Sequence, residues 1–283
     1  MNNIRRELEY LLEHNLDVST NLWIQERLTK IIESVAAKEL YLTYSLLANK
    51  VDAQKAMVFD TGNRVLKDYL EIQDANALQI ARIYVLVSVL EENNTYFQPK
   101  VAKLIQIADT GELETFLKFL VLLPNAGTYS EVAVEALRTN IDTIFHAISL
   151  KNPYPSRYFN DQQWNQMYLK AAFMQLDLAD ILDVDTRANK DLARIISDYA
   201  HERWAASRDI DPLFWKPVSN FLEATLLKDM AHLLESDNSI ENKAGALCCF
   251  YSDTSEAKSL LKKYPELQKE IVDKNSTWHN LKT

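Results

Sequence analysis

The chain has 283 residues, 47% of them hydrophobic and 25% charged, enough to bury a substantial core and too apolar for disorder. Its formal net charge of -9 argues against broad binding to a phosphate backbone, so nucleic acid is excluded as an expected partner. Only 4 Gly and 7 Pro occur, none of the prolines before Pro99; so few breakers disfavour a multi-stranded sheet and point to an all-α fold.

The N-terminal run MNNIRRELEYLLEHN is charged and amphipathic, with no apolar signal-peptide core, which makes a cytoplasmic protein the expectation. Over 21–51 apolar residues recur at three- and four-residue spacing, predicting one long helix or two broken near Ala37, with Ser19 or Thr20 as N-cap. Thr61-Gly62-Asn63 reads as a turn before a helix carrying Leu66 and Tyr69. Asp74 is placed to cap a strongly hydrophobic helix over 75–92, expected at the centre of the fold. Its apolar run, 80–90, is too short to cross a membrane and is followed by Glu91 and Glu92, so no direct membrane insertion is expected. Shorter helices are predicted over 101–108 and 113–123, and one opened by Ser130 and running through Phe145.

Asn152-Pro153-Tyr154-Pro155-Ser156-Arg157 is the clearest non-helical stretch, because two prolines remove N–H donors and bias their predecessors toward extended backbone. It suggests a helical half over 1–150, a Pro-containing linker over 151–160 and a second helical half over 161–283, with packing of both halves as one continuous domain left open as the alternative. Helices are then expected near 162–174, 189–207, 212–234, 239–250 and 255–274. The last two look like a HEAT-like hairpin, with Ala244, Gly245, Ala246 and Cys248 small enough to admit a close neighbour. The whole reads as a degenerate α-α superhelix. Adjacent Cys248 and Cys249, beside Leu247 and Phe250, suit a reduced buried pair in the core.

The richest chemistry lies in DTRANKDLARIISDYAHERWAASR, where Arg194, Asp198, His201, Ala205 and Arg208 follow at spacings of four, three, four and three and so share one helix face. A carboxylate at Asp198 would orient the His201 imidazole, and Arg194 and Arg208 extend a strip suited to an anion. The alternative is a strip that caps neighbouring helix ends. His201-Glu202 lacks the second histidine of a zinc helix, since Ala205 stands there; no metal and no cofactor are expected. Asp180, Asp183 and Asp185 form a carboxylate cluster, read as a polar loop whose Asn189 or Asp191 caps the next helix rather than as a cation site. Asn165, in the helix after the prolines, is read as a buried amide tying down the following loop. Trp204 and Trp215 are read as core anchors.

WNQMYLKAAFM, LDVDTRANKDLARIISDYAHERWAASR and LFWKPVSNF together resemble the EboA family over about 159–261, with only helical character in common across the N-terminal half. The matching elements are Asn165-Gln166, Leu169-Lys170-Ala171, the turn from Asp185 to Asn189, and Asp198 to Ala206. A Gly often precedes the final Arg of the motif; Ser207 stands here, which removes the residue best suited to a sharp helix end. The resemblance implies an all-α protein of a gene cluster that moves metabolite precursors toward the periplasm, linked in cyanobacteria to the pigment scytonemin. It implies a small-molecule metabolite as ligand and other ebo-cluster proteins as partners, including a prenyltransferase-like membrane component. A non-enzymatic binding or adaptor protein is the leading expectation, with Asn165, Lys170, Arg187, Arg194, Asp198, His201 and Arg208 forming its pocket or docking groove. The alternative is an enzyme acting on a small prenylated or aromatic metabolite, with His201 as general acid or base, Asp198 its orienter and Arg208 an anion stabiliser.

Overall fold

The computed structural model describes residues 4–281, so the first three residues of the charged N-terminal run and the last two of the chain lie outside it. The described residues are helices, turns and short 3-10 segments without a strand, an all-α fold. The chain divides into two compact units, one up to Tyr154 and the other from Pro155 onward.

The first unit begins with α1 (Ile4–Asn15), α2 (Val18–Ser34) and α3 (Ala37–Leu46). The expected break falls two residues before Ala37, at Val35, whose left-handed backbone (φ 47°) ends α2. Asp17, not Ser19 or Thr20, caps α2: its carboxylate accepts from the Thr20 N–H, and both hydroxyls donate to it. Next come α4 (Arg64–Ile72), capped by Asn63, and α5 (Ala77–Glu92). Asp74 is not the cap of α5. It turns the chain in a left-handed conformation (φ 49°), and Asn76 with Gln79 closes a capping box two residues later. From Gln79 to Leu90 every residue of α5 is buried, with α1, α2, α6 (Asn94–Gln106) and α7 (Thr110–Phe119) packed around it. A helix apolar all round is stable only in such a setting.

Two further expectations change in this unit. α6 starts seven residues early, capped by Asn93, and runs through Pro99. The helix expected over 130–145 is two, α8 (Ser130–Ala136) and α9 (Asp142–Ser149). Between them the Thr139 hydroxyl accepts the Ile141 N–H at 3.1 Å, giving that amide a partner outside any helix.

The proline stretch contains α10 (Tyr154–Tyr158), a short helix begun after Lys151 turns at φ 53° and the Asn152 carboxamide oxygen accepts the Tyr154 N–H. The second unit holds α11 (Asp161–Phe173), α12 (Lys190–Ala205), a 3-10 segment over Pro212–Phe221, α13 (Ala224–Leu234), α14 (Ser239–Tyr251), α15 (Ser255–Leu261) and α16 (Pro265–Val272). Two single helices were expected where the chain breaks. Pro217 lacks the donor a regular helix needs, which leaves 212–221 as 3-10 turns, and Pro265 stops α15 from continuing. α14 is the hub, touching α13, α15, α16 and the 3-10 segment. Cys248 and Cys249 are unpaired and buried in it, the Cys248 Sγ lying 3.4 Å from the Trp215 carbonyl.

Candidate functional site

The loop between α11 and α12 is folded by its own motif residues. Asn189 caps α12 by accepting the Leu192 N–H at 2.9 Å. Its carboxamide also exchanges hydrogen bonds with that of Asn165, 4% exposed on α11, at 3.1 and 2.9 Å. Arg187 lies over the Trp164 ring, 5.0 Å from its centroid, and donates to the Pro155 and Ser156 carbonyls at 3.2 and 2.8 Å and to Asp161 at 3.2 Å. These bonds satisfy buried donors and acceptors that an irregular segment would otherwise leave open. Asn165 and Arg187 are thus committed to holding the loop.

The same loop contributes Asp185 and Ala188 to a cavity of about 610 Å³. Tyr168 of α11 lines it too, as do Leu213, Lys216 and Pro217 of the 3-10 segment. The three sequence motifs, successive in the chain but on separate elements, therefore meet at one concavity of the size that takes a small molecule. Lys216 Nζ and Asp185 Oδ2 are 3.0 Å apart on its wall. Tyr168 is buried, stacked on Phe214 with centroids 5.6 Å apart, and its hydroxyl donates to the Leu213 carbonyl at 3.2 Å. Burial pushes that hydroxyl well above its ordinary pKa and keeps it neutral.

The polar strip on α12 is distributed differently from the sequence expectation. Asp198 pairs with Arg194 at 2.9 Å, both exposed. The carboxylate beside His201 is Asp229 of α13, whose Oδ1 is 2.7 Å from His201 Nε2 and whose Oδ2 accepts from Ser197 Oγ at 2.6 Å. Asp229 is 3% exposed, whereas the His201 side chain is 49% exposed. A buried carboxylate needs donors far more than an exposed one, which accounts for the imidazole turning to Asp229. Sequence reasoning missed Asp229; the signal was an acidic residue on the apolar face of ATLLKDMAHLL, beside Leu226, Met230 and Leu233. Trp204 lies against His201 (centroids 5.6 Å apart) and His232 (4.3 Å) and stacks on Trp215 (5.6 Å).

Arg208 lines a second cleft of about 620 Å³ together with Arg203, Tyr199 and Asp209, apart from the residues around His201. Lys170 is half-buried on α11, its ammonium pKa lowered by desolvation, and lines neither concavity. Among the described residues no group of three or more His, Cys, Asp or Glu side chains is placed to hold a metal ion, and Asp185 of the acidic cluster is engaged by Lys216. No helix among them is long and apolar enough to cross a membrane.

No curated protein and no solved structure matches the chain. One family does, described as metabolite traffic protein EboA, over residues 4–219. That span takes in the N-terminal half, where sequence reading found only helical character, and ends inside the 3-10 segment, short of the terminal helices. Covering most of the chain and all three motifs around the cavity except the last two residues of LFWKPVSNF, it shows that this protein belongs to the EboA family.

Proposed function

We propose that the protein is a non-enzymatic helical binding or adaptor protein in the processing or trafficking of a secondary-metabolite precursor, and that the cavity beside Lys216 and Asp185 holds the small molecule. The observation that carries this reading is the convergence of the three motifs on that cavity. Asn165 and Arg187 act as positioning residues, holding the loop so that Asp185 and Ala188 face the ligand. Arg194, Asp198 and Arg208 offer an exposed polar surface for a partner protein, which on this reading is another ebo-cluster product such as the prenyltransferase-like membrane component. The setting is the cytoplasm.

A second reading, an enzyme, is favoured by one observation: an accessible imidazole oriented by a buried carboxylate is the arrangement of a general acid or base. His201 fills that role, and Asp229 takes the orienting part that Asp198 was expected to play.

Native mass spectrometry of the protein purified from its own host separates the two. The binding reading expects a small-molecule mass on the wild type that Lys216→Ala loses and His201→Ala keeps. A ligand-free wild type, or a mass indifferent to Lys216→Ala, sinks it. A chemically different mass accumulating on His201→Ala establishes the enzyme instead.

A further inference from the structure

The cavity has one wall from a part of the chain beyond the family-matched residues, which end at 219: Tyr251, Thr277, Trp278 and His279. The segment carrying the last three is firmly held. Ser276 and Leu281 are buried on either side of it, and the Ser276 N–H donates to the Glu270 carbonyl at 3.1 Å. Between them the Thr277 N–H and hydroxyl both donate to Asn280 Oδ1, at 2.7 and 2.8 Å. Asn280 Nδ2 donates in turn to the Asn275 carbonyl at 3.2 Å. A turn closed this way fixes the backbone that carries Trp278, which is half-buried and lines the cavity.

The remaining walls narrow the ligand. Leu178, Ile181, Leu213 and Pro217 are apolar, and with Trp278 they favour a compact ring body whose π-face or edge meets the indole. The ion pair on the wall is already neutral within itself, Lys216 with Asp185 at 3.0 Å, and Ser219, Asn220, Thr277 and His279 add hydrogen-bonding groups beside it. An anionic ligand would have to take Lys216 from Asp185 and would enter a protein of net charge -9. A hydroxyl or carbonyl adds to the pair without breaking it, donating to the carboxylate or accepting from the ammonium.

We infer that the cavity selects a flat, uncharged ring compound bearing a hydroxyl or carbonyl, and that Trp278 in the C-terminal segment is the residue that selects for flatness. This rests on the reading of the cavity as the ligand site and specifies its ligand class. The test is isothermal titration of the full chain with three probes: 2-naphthol, naphthalene-2-sulfonate with the same rings and a charge, and 2-decalol with saturated, puckered rings. The expected result is saturable one-to-one binding of 2-naphthol, with each of the other two weaker by about tenfold or more, a difference of about 1.4 kcal/mol. Trp278→Leu, which keeps apolar bulk without a flat face, should weaken 2-naphthol by about tenfold, and Trp278→Phe by no more than about threefold. Naphthol binding unchanged in a folded Trp278→Leu overturns the role of Trp278. Equal affinity for 2-decalol overturns selection for flat rings, equal affinity for the sulfonate overturns the preference for an uncharged ligand, and a wild type that binds no naphthol overturns the ligand class. Each result leaves the host-purified ligand to judge the trafficking role separately: a Lys216-dependent mass with no naphthol binding keeps that role and removes this inference.

Discussion

Ser207 shows how a single residue can hold a position that another type would fill better. It ends α12 in a left-handed conformation, φ 52°, with its N–H donating to the Trp204 carbonyl and the Arg208 N–H to the Arg203 carbonyl, both at 2.9 Å. The sharp helix end that a Gly would make without strain is therefore made here by a residue that strains to adopt it. Ser207→Gly relieves that strain, offset in part by the greater freedom of Gly in the unfolded chain, and is expected to stabilise the protein by about 0.5–1 kcal/mol. A urea midpoint that falls instead of rising refutes this. At the same scale, the cap Asn189 and the buried Asn165 were legible from their residue types and positions. The pairing of His201 with Asp229 was not. Helical spacing says which residues share a face of one helix, but a carboxylate from a second helix competes for the same imidazole and the more deeply buried one takes it.

At the scale of the element, the small residues of α14 were read as permission for a close neighbour, and α13 is that neighbour. A Cβ on Gly245 would lie 2.9 Å from the Leu233 Cβ and 3.3 Å from the Met230 carbonyl oxygen. Neither atom is the free end of a flexible side chain. Gly245→Ala gains about 1 kcal/mol of helix propensity and meets an overpacking cost of about 1–3 kcal/mol, so a net loss of up to about 2 kcal/mol is expected in thermal or denaturant unfolding. A variant more stable than wild type would show that α13 and α14 can part without cost. The breaks inside predicted helices were harder to see. Leu137 and Ile141 stand four apart, as on one helix face, but only Leu137 is buried; Ile141 is 50% exposed and its N–H is given to the Thr139 hydroxyl.

Across the molecule, the buried thiols report on the integrity of the second unit. Burial raises the Cys249 thiol to about 12 and Cys248 well above its ordinary range. Each holds its proton more tightly in the fold than in the unfolded chain, where a thiol ionises near about 8.5. The stability tied to these protons is complete below that pH and is lost progressively as pH rises from it toward about 12. Alkylation by iodoacetamide at pH 8 is expected to be negligible for both cysteines in the native protein and to follow unfolding on addition of urea. Rapid native labelling of either would contradict this burial.

The all-α class, many of the helical positions, the reduced cysteine pair and the family likeness were present in composition, spacing and local motif, because each depends on neighbours within a few residues along the chain. Tertiary structure alone decided that Tyr168, Asp185, Lys216 and Trp278 share a cavity, that Arg208 lines a different cleft and that His201 answers to Asp229. Those outcomes depend on which helix faces meet and on which buried polar groups lack partners. Distances of 24 to 45 residues along the chain, as in the bonds of Asn165 with Asn189 and of Tyr168 with Leu213, carry no periodic signal from which such meetings could be read.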